Sequence, residues 1–136
     1  MGLRLLKIAV VYLLVGALLG LVMGISGKFT LAPVHAHLGL LGWASLALAG
    51  LIYHLYPAAS ATRLAKLHFW LHNLGLPVFM AGLAYMLGMG DERALPLVAG
   101  GATTVLVGLV LFAANVLLNV HAVSPADPTL APTRAA

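Results

Sequence analysis

Residues 34–57 read VHAHLGLLGWASLALAGLIYHLYP, with no Asp, Glu, Lys or Arg among them. A helix crossing a bilayer needs about 20 mostly apolar residues, and this run supplies them. In hydrocarbon every backbone N–H and C=O must be bonded within the chain, which makes such a run a helix. It forms the body of the second of four expected spans, Leu31 to Tyr56. The others are Ile8 to Ser26, Leu67 to Met89 and Leu95 to Val120. The expected fold class is therefore an all-α membrane protein. Its four-helix transmembrane bundle occupies residues 1–122, and the Pro/Ala-rich tail, 123–136, is expected to be disordered.

The whole chain points the same way. Of its 136 residues, 62% are apolar and 7% are charged, against about 45–50% and about 25% in soluble domains. Mean hydropathy is +1.08. This composition argues against a soluble enzyme and is too apolar for disorder. The net charge of +4 comes from single Lys and Arg residues between apolar runs. No basic patch forms, so the expected surroundings are lipid and not nucleic acid. Cysteine is absent, which excludes disulfides, thiolate metal sites, iron–sulfur clusters and c-type heme attachment. The first span is longer than a signal-peptide core, and no A-x-A-like site follows it.

The expected links, Gly27 to Thr30, Pro57 to Lys66 and Gly90 to Ala94, are short. Short links make neighbouring helices antiparallel, an up-down-up-down order. Arg4, Lys7, Arg63, Lys66 and Arg134 then share one side, and Lys28 and Arg93 share the other with Asp91 and Glu92. Basic short loops stay inside, which places both termini in the cytoplasm. Gly16, Gly20 and Gly24 share one helix face, suited to close packing within the bundle or to an oligomer contact. Pro77 cannot bond the Asn73 carbonyl, so a kink is expected there. No carboxylate precedes Asp91 and none falls in a span. That disfavours transport that cycles protons through a membrane carboxylate.

Histidine is the intramembrane signal: His35, His37, His54, His68, His72 and His121. An ionisable group inside a span is a functional candidate, and imidazole is the common ligand of iron, copper and zinc. His35 and His37 are two residues apart, so on a helix they point about 200° apart. They can serve two sites, one on each side of the helix, or sit as interfacial histidines wetted by headgroup water. His68 and His72 are four apart, on one face, and His54 is expected at the same end of the bundle. These three could hold copper or zinc, or could simply bond loop carbonyls. Trp43 and Trp70 could pack in the bundle or anchor at the bilayer surface.

Val34 to Pro57 and Ala65 to Pro77, the latter reading AKLHFWLHNLGLP, together resemble the catalytic subunit of the heme–copper oxidase superfamily. The likeness is to its tenth and eleventh helices. It is carried by the H-x-H pair, Gly42, Gly50, Tyr53 and Pro57, and by Lys66-Leu67-His68-Phe69. It covers residues 33–90. The resemblance implies that His35 and His37 ligate heme iron, one on each side of the helix, toward the non-cytoplasmic side. The family's other copper ligands, its cross-linked His–Tyr pair and its membrane carboxylates have no counterpart here. A self-sufficient oxygen reductase is therefore not expected.

The family's subunit is three arcs of four helices, and this chain resembles one arc. A homotrimer would rebuild the ring, with heme b between His35 of one subunit and His37 of the next. Two opposed imidazoles make a six-coordinate, low-spin heme. Gly39 and Gly42 could leave room for the flat ring. The function expected is that of a membrane b-type cytochrome in a bacterial or archaeal cytoplasmic membrane, exchanging electrons with a quinol or a cytochrome. The rivals are a copper or zinc protein using His54, His68 and His72, a heme-based oxygen or nitric oxide enzyme or sensor, and an assembly subunit without a cofactor.

Overall fold

The computed structural model describes residues 1–121. The expected tail, 123–136, lies outside the described residues. Helix α1 spans Gly2–Ser26 and α2 spans Ala32–Leu55. A single helical turn, α3, covers Pro57–Ser60. Helix α4 spans Arg63–Met89, and a 3₁₀ turn at Glu92–Ala94 leads into α5, Leu95–Asn119. No strand occurs among the described residues. Four helices are long and apolar enough to cross a membrane.

The observed ends differ from the expected ones for local reasons. Helix α1 begins six residues before Ile8 because Arg4 and Lys7 are good helix formers. Their stems can lie along apolar surface while the charged heads stay in water. Helices α1 and α4 stop at Gly27 and Gly90, whose φ values of 66° and 65° are left-handed. Glycine adopts that conformation without the penalty other residues meet. Helix α4 starts before Leu67 because Thr62 caps it, its Oγ1 accepting the Ala65 N–H at 3.1 Å. It then runs as one helix through Pro77.

One local feature was not expected. Within α2, Leu38–Ser45 is π-helical, between α-helical flanks Ala32–His37 and Leu46–Leu55. A π turn shifts the backbone pairing from the fourth residue back to the fifth. The Ser45 hydroxyl matches that register, donating to Leu40 O at 2.8 Å.

Packing is closest within two pairs, α1 with α2 and α4 with α5. The α1–α2 contacts run in opposite order along the two helices. Gly2 abuts Gly50 and His54, Gly16 lies beside Leu38, and Gly20 lies beside His35. In the second pair Gly101 meets the Phe79 backbone so closely that a Cβ there would fall 2.5 Å from Phe79 N. Such small residues matter because lipid is as apolar as leucine and helices must associate by close packing. Two clusters fill the interior. One joins Val34 and Leu38 to Leu76, Phe79, Met80, Leu83 and Val105. The other joins Leu5 and Ala9 to Leu46, Ala49, Tyr53 and Ala65. Large apolar side chains such as Leu14, Leu18, Val110 and Leu117 face outward, as a lipid-facing surface requires.

Candidate functional site

The histidine pair opens α2, before the π-helical segment. His35 points to α1, with its Nδ1 2.8 Å from Gly16 O. A carbonyl can only accept, so Nδ1 carries the proton and Nε2 keeps the lone pair. Gly16 and Gly20 form the notch that admits the ring. A Cβ at Gly20 would lie 2.8 Å from His35 Cε1. Of the three aligned glycines, these two therefore pack inside the bundle, and Gly24 has open space beside it.

His37 points elsewhere. Its ring stands edge-on to Phe79 of α4, centroids 5.0 Å apart and planes at 75°. Its Nδ1 lies 2.7 Å from Pro33 O, so it adopts the same tautomer as His35. The two rings leave α2 toward different neighbours, as a separation of about 200° demands. Both are half-buried. Gly39 has nothing within 4 Å of where its Cβ would be. Gly42 is different. A Cβ there would fall 2.6 Å from Tyr12 Cγ, so the space it leaves is filled by the Tyr12 ring. Of the two glycines expected to make room for a flat ring, only Gly39 has open space beside it.

The expected His54, His68 and His72 cluster is not assembled. His68 and His72 are buried in α4, at 1% and 0% exposure, with ring centroids 5.4 Å apart. His54 is exposed. Adjacent residues on a helix are about 100° apart, and Tyr53 takes the inward position that His54 would need. Among the described residues, no group of three or more His, Cys, Asp and Glu could hold a metal ion. His121 is exposed beyond the end of α5. Trp43 packs against the second core cluster, whereas Trp70 is exposed.

Tyr53 instead joins a buried polar network. Its Oη lies 3.2 Å from His68 Nδ1. Asn115 of α5 donates to Tyr53 Oη at 3.4 Å and to Ala59 O of α3 at 3.0 Å. Thr62 and Asn119 donate to Asn115 Oδ1, each at 2.9 Å. The Phe112 ring covers His68, with centroids 5.0 Å apart. A turn further along α4, His72 Nε2 donates to Leu41 O at 3.0 Å, within the π-helical segment. Nothing in the sequence joined Tyr53 to Asn115. Their meeting depends on how α2 and α5 rotate against α4. The available signal was three polar side chains, Tyr53, His68 and Asn115, in otherwise apolar helices.

No family model, curated protein or solved structure matches the chain.

Proposed function

We propose that the chain is a small b-type cytochrome of a bacterial or archaeal cytoplasmic membrane, related to one four-helix repeat of the heme–copper oxidase catalytic subunit. In this reading it binds heme between the subunits of a homotrimer and transfers electrons. Its helices run up-down-up-down with both termini in the cytoplasm, which short links and the Lys/Arg bias support.

The observation that carries the reading is the state of two imidazoles. His35 and His37 each commit an Nδ1–H to a backbone carbonyl, of Gly16 and of Pro33. Each keeps its Nε2 lone pair for another partner. Metal-ligating histidines have this arrangement, because the second hydrogen bond fixes the ring and raises the basicity of the ligating nitrogen. The rings diverge, so one chain does not close both on one iron. His35 of one copy and His37 of the next can do so. The half-exposed rings are polar groups on a lipid-facing bundle, which a neighbouring copy would cover. The open space at Gly39 suits a flat macrocycle.

Bound heme b supplies a one-electron Fe(III)/Fe(II) couple. The chain's own residues do the rest. His35 and His37 would hold the heme, and the Gly16 and Pro33 carbonyls orient their rings. Val34, Leu38 and Phe79, all buried beside the pair, exclude water. The spans carry no carboxylate to deliver protons, which favours electron transfer to or from a quinol or cytochrome over complete oxygen reduction.

Reduced-minus-oxidised spectra of the detergent-purified protein test this. A bis-imidazole α-band is expected, lost in His35→Ala and in His37→Ala, in a particle of trimer mass. Absence of the band, or its persistence in both variants, refutes the reading. A spectral shift of the reduced protein with carbon monoxide would instead mark an open axial position and a gas-binding heme.

A further inference from the structure

We infer that His68 and His72 form a buried two-histidine site for one monovalent copper ion, separate from the His35/His37 pair. His72 is wholly buried, and its Nδ1 has no hydrogen-bond partner. Leaving a buried acceptor unmet costs about 1–3 kcal/mol, and such an atom in a well-packed bundle points to a missing ion or water. The bond from His72 Nε2 to Leu41 O fixes which nitrogen is free. The proton must sit on Nε2, so Nδ1 presents a lone pair.

His68 lies one turn before, on the same face of α4, with its ring perpendicular to that of His72 at 5.4 Å. No hydrogen bond joins the two rings. Tyr53 Oη holds His68 through Nδ1, which leaves Nε2 as the nitrogen for an ion. A hydroxyl can donate or accept. Tyr53 Oη can therefore accept from an Nδ1–H of His68, the tautomer that leaves the Nε2 lone pair for an ion. Each histidine then has its second nitrogen bonded to an oxygen, as metal-ligating histidines do.

The charge of the ion follows from what surrounds it. Imidazole accepts copper, zinc, iron and nickel alike. The spans offer no Asp, Glu or Cys to offset the charge, and the aromatic rings of Phe112 and Tyr53 lie against His68. The cost of burying an ion rises with the square of its charge. Two neutral ligands in an apolar setting therefore suit a singly charged ion far better than Zn²⁺. Cu⁺ is the singly charged metal ion that imidazole binds well and that accepts only two ligands.

Anaerobic equilibration of the full-length protein with Cu⁺ buffered by bicinchoninate, followed by metal analysis, tests the site. One copper per chain is expected, with Zn²⁺ retained far more weakly. His72→Leu should weaken binding by about 100-fold or more. His72→Met, of similar size, should recover most of it, because a thioether is a soft ligand. Tyr53→Phe should weaken binding about 10- to 100-fold, as the loss of an orienting partner does. His35→Ala/His37→Ala should keep its copper, so failure of the heme reading leaves this result untouched. The inference is overturned if no copper is retained, if His72→Leu retains one equivalent, if zinc binds as tightly, or if His72→Met behaves as His72→Leu while eluting as the wild-type particle.

Discussion

Replacing Gly20 by Ala tests whether the α1 notch exists to seat His35. The added Cβ would lie 2.8 Å from Cε1, 3.2 Å from Nδ1 and 3.6 Å from Nε2 of that ring. Carbon atoms in good contact sit about 3.5–4.0 Å apart, so ring and helix must separate by roughly 0.7 Å or more. The Nδ1 bond to Gly16 O starts at 2.8 Å and would stretch to about 3.5 Å, beyond a useful length. Overpacking costs about 1–3 kcal/mol. A lost intramembrane hydrogen bond adds about 0.6 kcal/mol. Gly24→Ala supplies the reference, because nothing lies within 4 Å of its Cβ position. Both variants gain the same helix propensity, about 0.8–1.0 kcal/mol, which cancels in the comparison. Gly20→Ala should therefore be about 2 kcal/mol less stable than Gly24→Ala. Reversible unfolding in mixed detergent micelles measures the difference. Equal stability of the two variants would refute the seating of His35 against α1.

Gly101→Ala should be costlier than Gly20→Ala, because its Cβ would meet the Phe79 backbone at 2.5–2.7 Å, and backbone yields less than a ring. Thermal unfolding should show a loss of about 3 kcal/mol or more, at the upper end of overpacking costs; a neutral result would contradict the α4–α5 crossing. Asn115→Leu removes the group that satisfies Tyr53, Ala59 O, Thr62 and Asn119 at once. A loss of about 1–3 kcal/mol is expected, and the coupling between Asn115→Leu and Tyr53→Phe in a double-mutant cycle should be non-zero; strict additivity would show that the two do not interact.

Much of the architecture was legible in the chain because it rests on local properties. Apolar length places four spans, since lipid accepts only internally bonded helices. Gly27 and Gly90 end α1 and α4 where the links were expected, because the left-handed turn is a property of the residue. The divergence of His35 and His37 follows from helical pitch alone. The site was less legible. The spacing of His68 and His72 put them on one face, but adding His54 to them required knowing which face of α2 turns inward. Tyr53 holds that position.

The sequence alone thus determined an all-α fold with four membrane-length helices and a diverging histidine pair, through hydropathy and the 3.6-residue period. Only the tertiary structure decided what each histidine meets. It seats His35 in the Gly16/Gly20 notch, fills the Gly42 gap with Tyr12, and sets His72 against the π-helical carbonyl of Leu41. Those outcomes depend on the rotation and close approach of two helices, a joint property of residues far apart in the chain. No window of sequence contains both partners.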